Sequence, residues 1–174
     1  MKNCLIFLVL FNGFQVLACK CSKNESLQSE FDGTEVVIHG RVLSVEIVKL
    51  KSTFDSLQLD SINKQYHNQA EGLAGLDLEL LKVEFETIQI YKGQEEINNI
   101  ITIYTARRAA ACGFSEFEKG KEFITFLSSI NYLNFMFNKA VEGQKKENVF
   151  WTNRCTWTSK FESGLNKEIC EFAK

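Results

Sequence analysis

Several kinds of residue and motif are scarce or missing in this chain. Proline is absent, and histidine occurs only at His39 and His67. The sequence has no His-Glu-x-x-His helix, no Gly-x-Ser-x-Gly elbow and no phosphate-binding glycine loop. His39 lies in a predicted strand and is interpreted as a hydrogen-bonded wall residue, and His67 lies in a polar stretch. We therefore predict that the protein is not an enzyme and has no cofactor of its own.

An excess of charge of either sign is also missing. The chain has 20 Lys and Arg residues against 22 Asp and Glu residues, which gives a net charge of −2. No basic patch stands out along the sequence, so nucleic acid is not a predicted partner. After residue 17 no apolar run reaches the roughly 20 residues that a membrane span needs. Membrane contact is predicted only if the chain is lipidated.

The start of the chain has the layout of a secretory signal peptide. Met1-Lys2-Asn3 is positively charged, Cys4–Leu10 is apolar, and Val16-Leu17-Ala18 fits a cleavage site. We predict a signal peptide over residues 1–18, a secreted protein, and a single domain over residues 19–174. Removing 18 residues from 174 leaves 156, which is long enough to bury a core.

A second interpretation of the same boundary is lipidation. Val16-Leu17-Ala18-Cys19 also passes as a loose lipobox, as in a bacterial cell-envelope lipoprotein. Such a protein carries lipid on the cysteine sulfur and usually an acyl group on its amine. Lipidation of Cys19 would leave four other cysteines, which is an even number.

The mature chain contains five cysteines, and disulfides are the default in an exported protein. They are Cys19, Cys21, Cys112, Cys155 and Cys170. An odd number leaves one cysteine free, modified or paired with another chain. A zinc cage is disfavoured, because it would need cysteines spaced by two to four residues or nearby histidines.

Five segments rich in β-branched and aromatic residues predict strands. They are Glu35–Val48, Leu81–Tyr91, Ile100–Thr105, Glu122–Leu127 and Asn148–Trp157. Leu165–Phe172 has helical apolar spacing. Since strands and helices do not alternate, we predict a mainly β fold, a small five-stranded closed barrel with a C-terminal helix.

Two features modify the first two strands. Gly40 within the first strand predicts a bulge or sharp bend. In the second strand the alternation of Val83 and Phe85 resumes in the opposite phase at Ile88, which predicts another bulge or strong coiling. Between the two strands lies a long polar insertion, Lys49–Asp77, which is interpreted as a hairpin arm or a short helix.

Several short motifs of the mature chain, taken together, resemble a known family. The features are the mature N-terminal Cys19-Lys20-Cys21, the strand Val36-Val37-Ile38, Tyr104-Thr105-Ala106 leading to Ala111-Cys112-Gly113, and Cys155 followed closely by Trp157. Together they look like the N-terminal inhibitory domain of the tissue inhibitors of metalloproteinases, in the netrin-like OB-fold group. The likeness covers Cys19 to about Phe172. The family's C-terminal cysteine-rich domain has no counterpart here.

The resemblance implies a fold and disulfide pairings. The barrel would be a netrin-like OB-fold with the insertion between its first two strands. Cys19 would pair with Cys112, and Cys21 with Cys155. The family's third bridge would use Cys170, but no cysteine precedes the first strand. Cys170 is then the odd thiol, in a monomer or, alternatively, in a dimer linked through it.

The resemblance also implies a function, which is inhibition of zinc metalloendopeptidases. The Cys19 amine and carbonyl would chelate the zinc of the target protease. The protease-binding residues would be Cys19, Lys20, Cys21, Ser22, Ala110, Ala111 and Cys112. Lys20 would point into the first primed pocket, where the animal inhibitors usually carry a small hydroxyl residue. A buried cation needs a partner, so the departure favours a protease with an acidic or open pocket.

The alternative function is a netrin-like binding module without inhibitory activity. This module would be secreted or tethered by lipid, and it would bind its partner through the Lys49–Asp77 insertion. On that hypothesis, deleting the insertion abolishes partner binding while the fold stays intact.

Overall fold

A six-stranded sheet organises the protein. The computed structural model describes residues 26–67, 75–93, 97–133 and 146–173. The strands are β1 (Val36–Lys49), β2 (Glu79–Lys92), β3 (Ile100–Ala106), β4 (Glu122–Leu127), β5 (Val149–Trp151) and β6 (Ser159–Lys160). The helices are α1 (Leu27–Gly33), α2 (Ser56–Tyr66) and α3 (Ser163–Phe172), with 3-10 turns at Leu50–Thr53 and Ala109–Ala111. The order across the sheet is β5-β3-β2-β1-β4-β6.

The long antiparallel hairpin of β1 and β2 is irregular where the sequence predicts it. Gly40 lies opposite Thr87 and His39 lies opposite Gln89, so Ile88 has no opposite residue. A Cβ on Gly40 would lie 2.3 Å from the backbone oxygen of Glu86, so only glycine allows this approach. The predictions at Gly40 and Ile88 are therefore both confirmed by this one bulge, which helps to curl the sheet.

The sheet curls into a half-barrel around an apolar interior. Thirteen buried residues form this core, and five of them are phenylalanines: Phe85, Phe114, Phe117, Phe123 and Phe150. The end of β4 meets β5 through two hydrogen bonds between Ser128 and Trp151, of 3.0 and 2.8 Å. The mainly β prediction and the C-terminal helix are confirmed.

Two helices cover another face of the sheet. Leu27 and Phe31 of α1 and Ile169 of α3 are buried in one cluster with sheet residues such as Phe126. The Ser26 hydroxyl caps α1 by accepting a hydrogen bond from the Ser29 N–H. This packing leaves the two helices on the outside of the half-barrel.

The described residues of the insertion between β1 and β2, 49–67 and 75–77, are folded. Asp55 and Gln58 form a reciprocal capping box at the start of α2. Leu50, Ile62 and Leu76 are buried in a cluster that includes Ala106 and Trp151. Deleting the insertion would therefore expose core residues, so the deletion is expected to destabilise the fold rather than leave it intact.

The strand count and the fifth strand differ from the prediction. The described residues form six strands rather than five, and the predicted strand Asn148–Trp157 is paired only over Val149–Trp151. Beyond it the chain turns, because the Thr152 hydroxyl donates to the Phe126 carbonyl and contacts the Thr158 hydroxyl. The short β6 then pairs with β4. Helix α1 was not predicted.

His39 is the hydrogen-bonded wall residue that the sequence indicated. Its Nε2 lies 3.0 Å from Glu122 Oε2, and Arg41 donates to Glu122 Oε1 at 2.8 Å. The His39 ring stacks on Phe161 with the ring centroids 4.1 Å apart. The hydrogen bond from Arg41, followed by that from His39, lowers the pKa of Glu122. The network links β1 to β4 at the base of the half-barrel.

This network predicts a pH-dependent stability. A lowered pKa means that the Glu122 contribution is present above the unfolded-state pKa and is lost as pH falls through the folded-state pKa. We expect Glu122→Gln to destabilise the protein by about 1 kcal/mol at pH 7 and by less at pH 3. Chemical denaturation at both pH values measures this. The control Glu168→Gln alters an exposed carboxylate of α3 that has no salt bridge within the described residues. An equal loss at both pH values for Glu122→Gln would contradict the assignment.

Candidate functional site

The predicted site residues fall into two groups. Cys19, Lys20, Cys21 and Ser22 lie outside the described residues, so their predicted roles stay predictions. The other three, Ala110, Ala111 and Cys112, lie together directly after β3. We call residues 107–112 the ridge.

The ridge is a short exposed turn of small residues. Its 3-10 turn is closed by hydrogen bonds of 3.0 Å from the Ala111 N–H to the Arg108 carbonyl and from the Cys112 N–H to the Ala109 carbonyl. Ala109 and Ala110 are exposed, and Ala111 and Cys112 are half-buried. Small side chains on a fixed turn leave the backbone accessible to a partner.

The base of the ridge is held closely against the end of β3. Cys112 adopts the left-handed conformation, with φ 60° and ψ 20°. The next residue, Gly113, is buried, and a Cβ built there would lie 1.6 Å from the Ala106 carbonyl oxygen. The Phe114 N–H then donates to the buried Thr105 hydroxyl at 2.8 Å. These contacts fix both ends of the turn.

Tyr132 supports the strand end from which the ridge departs. Its phenolic oxygen accepts a hydrogen bond of 2.8 Å from the Ala106 N–H, and its ring packs edge-on against Trp151. Burial raises the pKa of Tyr132, so the phenol stays neutral at physiological pH. Sequence reasoning missed this role, because Tyr132 lies in Asn131–Phe137, a segment whose pattern is ambiguous.

Two distant cysteines meet at the ridge. The Arg154 N–H donates to the Cys112 carbonyl at 2.9 Å, which places the neighbour of Cys155 directly against Cys112. The Asn153 side chain accepts from the Cys155 N–H at 2.7 Å and so orders this loop. Cys112 and Cys155 are both disulfide-bonded.

Cys170 lies elsewhere in the protein. It is a free, half-buried thiol on α3 and packs against the cluster beneath α1 and α3. The Gln89 amide nitrogen lies 3.7 Å from its sulfur. This agrees with the prediction that Cys170 is the odd cysteine.

Within the described ranges, no group of three or more His, Cys, Asp or Glu side chains is placed to hold a metal ion. No helix in that part of the chain has the length and apolar character needed to cross a membrane.

The chain was also compared with known proteins. No protein-family model matches it, and no curated protein matches it significantly.

Proposed function

We propose that the mature chain is a secreted inhibitor of zinc metalloendopeptidases that chelates the protease zinc through the amine and carbonyl of Cys19. The observation that carries this proposal is the meeting of Cys112 and Cys155 at the ridge. The N–H of Arg154, the neighbour of Cys155, donates a 2.9 Å hydrogen bond to the Cys112 carbonyl, although the two cysteines are far apart in the sequence.

The closeness of the Cys112 and Cys155 segments suits disulfide pairing with the two cysteines of Cys19-Lys20-Cys21. In an extended chain the Cα atoms of residues i and i+2 are about 7 Å apart. Disulfide-bonded cysteines have Cα atoms about 4.4–6.8 Å apart. Two adjacent anchors on the protein can therefore each hold one cysteine of Cys19-Lys20-Cys21. We propose the pairs Cys19–Cys112 and Cys21–Cys155, with Cys170 left free.

A chain held in this way presents a chelating group. The catalytic zinc of a metalloprotease keeps an open position for water. A free α-amine and the carbonyl of the same residue form a five-membered ring with that metal and displace the water. The amine has a reference pKa of about 7.7–8.0, so its neutral form is accessible at physiological pH.

Anchoring also reduces the entropic cost of binding. A mobile N-terminus would lose conformational freedom on entering the protease cleft, whereas two disulfides fix it beforehand. The ridge itself is fixed by Gly113, Thr105 and Tyr132. In this proposal Lys20 enters the first primed pocket, Cys21 and Ser22 follow the cleft, and Ala110-Ala111-Cys112 lie beside them.

We assign the half-barrel to the netrin-like OB-fold type. The curled sheet, the Ser128–Trp151 link between β4 and β5 and the helix α3 packed outside support this assignment.

Peptide mapping under non-reducing conditions, together with the intact mass of the mature protein, tests the anchoring. We expect a chain that begins at Cys19 with a free amine, the bridges Cys19–Cys112 and Cys21–Cys155, and one free thiol at Cys170. A direct Cys112–Cys155 bridge would contradict the mechanism. A diacylglycerol adduct on Cys19 would instead support the alternative, a lipid-tethered binding module without inhibitory activity.

A further inference from the structure

Two arginines flank the half-cystine at the end of the ridge. The Arg108 carbonyl accepts hydrogen bonds from the Ala111 and Gly113 N–H groups, at 3.0 and 3.2 Å, and the Arg154 N–H donates to the Cys112 carbonyl. Both arginine side chains are exposed. The fold therefore brings the backbones of two exposed arginines to Cys112, although they come from separate parts of the sequence.

Arg107 differs from Arg108 and Arg154 in its ion pairing among the described residues. Arg107 is paired with Glu79 at 2.7 Å, but Arg108 and Arg154 take part in none of the salt bridges of the described residues. The sequence has no Asp or Glu from Ile97 to Ser115 or from Asn148 to Phe161. Within the part of the chain that the structure describes, Arg108 and Arg154 are therefore two exposed arginines at the ridge that no salt bridge neutralises.

We propose that the target protease carries an acidic rim around its active-site cleft and that Arg108 and Arg154 select it. This inference rests on the proposed function, because the ridge would lie against that rim when Cys19 reaches the zinc. Lys20 was expected to favour a protease with an acidic or open first primed pocket. The present inference adds an acidic surface around the cleft of that protease. Arg108 and Arg154 would contact the partner, whereas Arg107 is held by its own protein.

Exposed charges at the rim of an interface act mainly on the rate of association. Complementary fields raise association rates by about 10- to 1,000-fold at low ionic strength, and salt screens the effect. A protease with a neutral or basic rim would gain no such acceleration. Specificity would therefore appear as a difference in the association rate constant between proteases with different rim charge.

The test uses the full mature protein and a panel of purified zinc metalloendopeptidases that differ in the charge around their clefts. Association is measured by stopped-flow inhibition at about 20 mM and about 500 mM salt. The double variant Arg108→Glu with Arg154→Glu should associate with an acidic-rimmed protease roughly 10- to 100-fold more slowly at low salt. At high salt the difference should fall to about threefold or less, and the dissociation rate should change little.

A matched control separates the effect of charge at the ridge on the association rate from the effect of the net charge of the protein. Lys119→Glu with Lys167→Glu lowers the net charge by the same amount at exposed residues outside the ridge, so its association rate should stay near that of the parent. Equal slowing by both double variants, or no slowing by the arginine variant, would overturn this inference while leaving the inhibitor function standing. Failure of the unmodified protein to inhibit any protease of the panel would overturn both.

Discussion

One extra residue placed before Cys19 is expected to abolish inhibition of the target protease. The extension converts the α-amine into an amide, which cannot chelate zinc, and it also forces additional atoms into the space occupied by the metal. We expect the inhibition constant to rise by roughly a thousandfold or more, equivalent to about 4 kcal/mol. Acetylation of the Cys19 amine should have the same effect. Steady-state inhibition of the protease measures both.

The control for this experiment is an alanine added after Lys174, which leaves the N-terminus unchanged. The N-terminally extended protein should keep its disulfides and its thermal unfolding temperature, because the added residue lies outside the folded core. Undiminished inhibition by the extended or the acetylated protein would refute zinc chelation by Cys19.

Gly113→Ala is expected to have the largest effect on stability among substitutions at the ridge. The new Cβ would lie 1.6 Å from the Ala106 carbonyl oxygen and 2.5 Å from its carbon, and both are backbone atoms. The backbone must move, so we expect a loss of about 3 kcal/mol, at the upper end of the range for overpacking. For a domain of this size, that loss corresponds to a fall in Tm of about 10 °C.

Gly164→Ala is the matched control, because a Cβ at that position in α3 meets nothing within 4 Å. It should be neutral or slightly stabilising. The movement forced by Gly113→Ala would also displace Cys112, so any folded fraction of this variant should inhibit less well. Thermal unfolding that matches the parent protein would show that the ridge is not held as described.

The strands could be predicted largely from their content of β-branched and aromatic residues. The change of phase at Ile88 in the second strand also indicated a real bulge. The same reasoning failed beyond Trp151, because Thr152 and Thr158 use their hydroxyl groups to bond within a loop. β-Branched residues have similar composition in a strand and in such a loop, so the sequence does not separate the two.

Structure that depends on tertiary contacts was not predictable. Helix α1 has seven residues, of which Leu27 and Phe31 are its buried apolar anchors, so its helical pattern is weak. Within the polar insertion, Leu50 and Ile62 are fully buried only because they meet residues from β2, β3 and β5. Sequence periodicity reports local spacing and gives no information on these distant partners.

The candidate site, too, was predictable only in part. The positions of Ala110, Ala111 and Cys112 after β3 were expected from the family resemblance, and the structure places them on one exposed turn. The approach of Arg154 to Cys112 joins two segments that the sequence separates widely. No basic patch stands out in the sequence, because Arg108 and Arg154 come together only through the fold.

Inhibition profiling of the mature protein against zinc metalloendopeptidases tests the central proposal most directly. The assay uses a chain that begins at Cys19, with its disulfides intact and its amine free. We predict stoichiometric inhibition of at least one protease, reversed by N-terminal extension. Full activity of every protease in the presence of excess protein would contradict the proposal that this chain is a metalloendopeptidase inhibitor.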